Sequence, residues 1–124
     1  MTVETLKALS QLQKDIHENA VRHGFYDKVE EILNYFAVGD CMDYMREVEM
    51  YFILAQLDKI VSEVGEATDA IQRGKPQAEY AEELADIFIR LLDLAEYQGI
   101  SIGVAVGEKM QKNALRPYLH GKRC

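Results

Sequence analysis

From Val3 to about Arg22, apolar side chains return every three or four positions, at Leu6, Leu9, Leu12, Ile16 and Ala20. That step matches the helical turn and predicts a helix with one apolar stripe. Gly24 stands where a C-terminal cap belongs. Phe25 to Phe36 reads as a loop entering a short helix, carrying Val29, Ile32, Leu33 and Phe36 and closed by Gly39. Asp40 is a candidate cap for a third helix running from Met42 to Gln72. Arg73-Gly74-Lys75-Pro76 then combines a glycine past one helix with a proline opening the next. Gln77 to Tyr97 forms the fourth helix, ended by Gly99; Ser101 caps a fifth, which runs to about Leu115 before Pro117 stops it. No segment alternates with the period of a strand. The expected class is all-α: an antiparallel bundle of four to five helices, in a single domain spanning residues 1–124.

The faces of the two central helices refine this picture. On the third, Ile53, Leu57, Ile60, Val61, Val64, Ala67 and Ile71 form one stripe; on the fourth, Leu84, Ile87, Phe88, Leu91, Leu94 and Ala95 do the same. Ile89 and Leu92 widen the second stripe beyond what one partner helix covers. Helices apolar over so much of their girth are buried on several sides. In a chain of 124 residues, that predicts completion by a second copy, as a homo-oligomer such as a dimer or tetramer.

Composition narrows the partners. The net charge of −7 argues against nucleic acid or an acidic membrane surface. The charge is uneven: residues 1–108 hold 9 basic and 21 acidic side chains, whereas residues 109–124 hold 5 basic and none acidic. A basic end on an acidic body suits a small anionic ligand. Cys41 and Cys124 form neither a disulfide framework nor a zinc spacing, which favours a reducing compartment. No charged-then-apolar leader and no long apolar run is present, so a cytoplasmic, membrane-free protein is expected.

Two acidic pairs carry the candidate chemistry: Glu63-x-x-Glu66 near the end of the third helix and Glu83-x-x-Asp86 early in the fourth. A three-residue step keeps both carboxylates of a pair on one helical side. If the two helices pack antiparallel, four carboxylates converge on a small volume. Such a cluster repels itself unless it holds a hard cation, and all-oxygen ligation suits Mg²⁺ or Mn²⁺. Plainer explanations exist for each pair alone. Lys59 and Glu63, like Asp86 and Arg90, are four apart and fit ordinary surface ion pairs. Two acidic pairs flanking one tight turn, each edging an apolar stripe, are a stronger signal than either.

With these motifs in place, the chain resembles the MazG-like all-α nucleoside triphosphate pyrophosphohydrolases. The likeness is carried by Glu63-Val64-Gly65-Glu66, sixteen intervening residues, and Glu83-Leu84-Ala85-Asp86. It continues through Arg90–Ala95, through Glu108-Lys109-Met110-Gln111-Lys112-Asn113, and into the tail Arg116-Pro117-Tyr118-Leu119-His120-Gly121-Lys122. His23-Gly24-Phe25-Tyr26-Asp27 is similar to an aromatic segment of one branch of that family. Residues 15–31 and 53–123 are covered in all.

The resemblance implies cleavage of a (deoxy)nucleoside triphosphate between its α and β phosphates, giving a monophosphate and pyrophosphate. By position, Glu63, Glu66, Glu83 and Asp86 would hold Mg²⁺, with Mn²⁺ as a substitute, and Glu63 or Glu66 would act in catalysis. Lys109, Asn113 and Arg116 share a face of the fifth helix and, with Lys122, offer donors to phosphate. Lys59 is a further candidate for phosphate contact. Phe25 and Tyr26 are candidates for stacking on the base. Two alternatives stand beside this reading: a helical nucleotide sensor without turnover, and a related enzyme specific for dUTP, dCTP or phosphoribosyl-ATP.

Overall fold

The computed structural model describes residues 1–118, and among them are five helices and no strand: α1 Val3–Arg22, α2 Asp27–Val38, α3 Met42–Gln72, α4 Gln77–Tyr97 and α5 Ile102–Ala114. The all-α bundle expected from the periodicity is the fold observed. The helices pack as a row, α2 on α3, α3 on α4, α4 on α1 and α1 on α5. The four-residue turn between α3 and α4 folds them into an antiparallel hairpin.

Three of the helices end in the same way. After α1, α3 and α4, a glycine takes a positive φ (Gly24 at 80°, Gly74 at 61°, Gly99 at 69°). The next amide then reaches back five residues, as Phe25 N–H does to the Ala20 carbonyl at 3.2 Å and Lys75 N–H to the Ala70 carbonyl at 2.9 Å. The end of α2 departs from the sequence expectation. Gly39 has an ordinary φ of −83°, and it is Asp40 that enters the left-handed region at 56°. Asp40 therefore closes α2 instead of capping α3, because a short polar side chain tolerates that conformation. Cys41 occupies the N-cap of α3 without a side-chain hydrogen bond.

The core is small. Ala20, Tyr26 and Val29 are buried together, with Leu33, Phe52 and Tyr97 packed against them. Tyr26 stacks on Tyr97 with ring centres 5.1 Å apart and meets Phe52 edge-on at 5.7 Å. Leu92, Leu94 and Ala95 bury the inner side of α4.

α5 is fastened to the rest by a buried amide. Gln13 Nε2 donates to the Ile100 carbonyl at 2.7 Å, and its Oε1 accepts from the Ile102 N–H at 3.2 Å. Next to this clamp, Gly103 lies so close to α1 that a Cβ on it would meet Leu6 Cδ1 at 2.5 Å. Gln13→Leu would strip a part-buried carbonyl and a part-buried amide of their partner, and is expected to cost about 1–2 kcal/mol in urea unfolding. A variant as stable as the parent would show that water replaces the clamp.

Much of the expected apolar stripe on α3 is not covered. Ala67 of that stripe is buried, as is Ala70 outside it, but Leu57, Val61, Val64 and Ile71 are exposed, Val61 to 67%, and so is Leu54 outside it. Leu84, Phe88 and Leu91 of α4 are exposed too. The accessible surface is 9483 Å², whereas a compact chain of this mass exposes about 6,800 Å².

Candidate active site

The hairpin of α3 and α4 brings the two acidic pairs face to face. One carboxylate oxygen from each of Glu63, Glu83 and Asp86 lies within 4.8 Å of the others. The convergence follows from local rules: Glu83 and Asp86 are one turn apart on α4, and the short turn sets the start of α4 against the end of α3. Glu66, one turn beyond Glu63 and exposed, stands outside that triad but beside Glu83.

Glu83 carries the strain of the arrangement. Its Oε2 is buried with no hydrogen-bond partner. Burial, then the neighbouring Glu66, then Glu63 and Asp86 raise its pKa above the ordinary carboxylate range. An orphaned, buried oxygen in an all-carboxylate donor set fits a hard divalent cation, which would take Glu63, Glu83 and Asp86 as ligands with Glu66 at hand.

The raised pKa has a measurable sign. The folded chain holds the Glu83 proton more tightly than the unfolded chain does. Protonation therefore favours the fold at low pH, and this contribution is lost as pH rises from the unfolded-state value through the raised one. Without metal, wild type should lose stability relative to Glu83→Gln across that interval. Paired thermal melts over pH would show it, and a constant difference would contradict it.

Arg90 completes the acidic face. Its Nε donates to Glu63 Oε1 at 2.8 Å, with the Glu63 side chain 12% exposed. This pair joins α4 to α3, whereas the spacing in sequence had offered Arg90 to Asp86 and Lys59 to Glu63; neither of those pairs forms among the described residues. Released from that role, Lys59 instead lines a cavity of about 360 Å³ opening beside the triad, shared with Asp86 and Arg90. Asn19, Phe25, Tyr26, Gln56 and Asp93 line the same cavity. His17 Nδ1 donates to the Oδ1 of the lining residue Asp93 at 2.8 Å.

The two aromatic candidates separate. Phe25 is 71% exposed at the cavity, with its ring available. Tyr26 is 3% exposed and has its ring committed to Tyr97 and Phe52. Its hydroxyl is buried without a hydrogen bond, and burial followed by the adjacent Asp93 carboxylate holds the phenol far above its ordinary range. Tyr26 is thus a wall of the cavity and a piece of the core.

Lys109, Asn113 and Arg116 are not brought to the triad within one chain. All three are exposed, α5 packs on α1, and none of them lines the cavity. Lys122 lies outside the described residues. Among the described residues, the cations that line the cavity with Asp86 are Lys59 and Arg90. Asn19, Gln56, Asp93 and His17 are site residues that sequence spacing did not single out, and it offered Arg90 only as a partner of Asp86. Only the seven-residue step from Asp86 to Asp93, two turns on one face, gave a signal for any of them.

Residues 53–120 match the MazG nucleotide pyrophosphohydrolase domain family. That stretch contains both acidic pairs, Lys59, Arg90, Asp93 and the cations of α5, and it begins after the aromatic segment at residues 23–27. No curated protein and no solved structure matches the chain.

Proposed function

This chain belongs to the MazG nucleotide pyrophosphohydrolase family, and from that premise we propose that it is a Mg²⁺-dependent hydrolase of (deoxy)nucleoside triphosphates, releasing a monophosphate and pyrophosphate. The observation that carries the proposal is the carboxylate triad of Glu63, Glu83 and Asp86, with its orphaned Glu83 oxygen. When bound, Mg²⁺ (or Mn²⁺) supplies charge compensation for the phosphates and orientation of the attacking water.

The chain's own residues divide the remaining work. Lys59 and Arg90 face the cavity and offer donors to phosphate oxygens. Glu63 is held by Arg90, and Glu83 and Asp86 are committed to the cation, which leaves exposed Glu66 to accept the proton of the attacking water. Water oxygen bonds to the α phosphorus as the bond to the bridging oxygen breaks, and pyrophosphate departs with the electron pair. Chelation should abolish turnover and added Mg²⁺ should restore it; activity that persists after exhaustive chelation would remove the metal from the proposal.

Oligomerisation belongs to the same proposal. The exposed apolar positions on α3 follow a three–four step through Leu54, Leu57, Val61 and Val64, which is the seam of a helix meeting another helix. The surface in excess of a compact chain, about 2,700 Å² per chain or about 5,400 Å² over two, lies at the upper end of what obligate dimers bury. Light scattering should give at least twice the chain mass of 14.2 kDa; a monomer at micromolar concentration would contradict the assignment. A cytoplasmic setting, expected from the cysteine usage, completes the reading. Among the described residues, no helix is long and apolar enough to cross a membrane.

A further inference from the structure

We propose that the cavity beside the carboxylate triad receives the nucleobase, and that Asp93 on its wall selects bases bearing an exocyclic amino group, so that cytosine is preferred over uracil. The inference rests on the reading of this chain as a triphosphate hydrolase and names the base that its site accepts.

The register of α4 supplies the scale. Asp86 and Asp93 are seven residues apart, hence two turns along one face and about 10 Å along the axis. Both line the cavity. A phosphate held near Asp86 therefore leaves the span of a ribose and a base before Asp93 is reached. Phe25, exposed at the same cavity, offers a ring face for a base to stack on.

Asp93 is held in place before any ligand arrives. His17 donates to its Oδ1 at 2.8 Å, and the His17 ring meets Tyr26 edge-on at 4.8 Å. Tyr26 is itself stacked on Tyr97. The Asp93 side chain is 17% exposed and lines the cavity; a carboxylate offers about four acceptor sites, so capacity remains beside the bond from His17 and the adjacent Tyr26 hydroxyl. An ionised carboxylate can only accept hydrogen bonds. The N4 amine of cytosine meets that requirement, while the amides of Asn19 and Gln56 on the cavity wall can serve N3 and O2. Uracil places a carbonyl where cytosine places its amine. Its one N–H sits between two carbonyls whose lone pairs would face the carboxylate. A polar site that loses its partner in this way discriminates strongly.

The test is equilibrium binding of dCMP and dUMP to the full chain in Mg²⁺, by calorimetry, on wild type and Asp93→Asn. The substitution keeps the shape and the acceptor for His17, but adds an N–H₂ that can serve a carbonyl. Wild type should bind dCMP at least about tenfold more tightly than dUMP, and Asp93→Asn should bring the two together or reverse them. Equal binding in wild type, no binding of either monophosphate, or a preference that survives Asp93→Asn would each overturn the assignment. Because monophosphate binding needs no turnover, a dCMP preference lost in Asp93→Asn supports the assignment even if no triphosphate is cleaved. In that case the hydrolase reading alone would fail.

Discussion

Glu83→Gln is expected to lower triphosphate turnover by about a thousandfold or more while raising the thermal stability of the metal-free protein. The two effects share one cause. In the absence of a cation, Glu83 keeps an oxygen buried without a partner, amid Glu63, Glu66 and Asp86. Removing its charge relieves that repulsion, so the fold gains. The same charge is needed to hold the cation, and losing even a group that supports a metal ligand typically costs about 10–100-fold. Losing a ligand outright should cost more. Such opposition between stability and activity is common where a site is built at the expense of the fold. Turnover with saturating Mg²⁺ and melting of the chelated protein would be measured on the same preparation. A variant that loses both stability and activity would mean that Glu83 is a structural residue.

Arg90→Met is expected to lower turnover by about 10–100-fold, the range for a group that orients a metal ligand. The methionine keeps the packing of the aliphatic stem and removes the guanidinium from Glu63 and from the cavity. Freed of its competitor, Glu63 becomes a better partner for a cation, so half-saturation by Mg²⁺ should fall or stay unchanged while the maximal rate drops. That split separates two roles for Arg90. If excess Mg²⁺ restores the full rate, Arg90 only aligns Glu63; if the deficit persists, it also acts on the phosphates. The second result is the one expected, because Arg90 lines the cavity as well as holding the carboxylate.

The helices were legible in the sequence because their punctuation is strong. Gly24, Gly74 and Gly99 each sit where the chain takes a left-handed turn after a helix, a conformation glycine adopts without a Cβ clash. Asp40 was misread because Gly39 stands one position before it and carries the stronger sequence signal, although Asp40 is the residue that enters the left-handed region. The triad was legible for a geometric reason: one-turn spacings on two helices flanking a four-residue turn leave few other arrangements. What spacing cannot show is a neighbour on another helix. Arg90 matched Asp86 within its own helix, yet it bonds Glu63 across the hairpin, 27 positions away. Asp93 and His17, 76 positions apart, have no local pattern at all. The cations of α5 lie at the opposite difficulty. Their shared face is plain in sequence, but α5 packs on α1, at the end of the helix row away from α2 and α3.

The most direct test follows a triphosphate by ³¹P NMR, incubated with the purified protein and Mg²⁺. The three triphosphate resonances should give way to those of a monophosphate and pyrophosphate in equal amounts, and Glu83→Gln should leave the triphosphate intact over the same time. Appearance of a diphosphate and orthophosphate, or an unchanged spectrum with the folded wild-type protein, would contradict the proposed reaction.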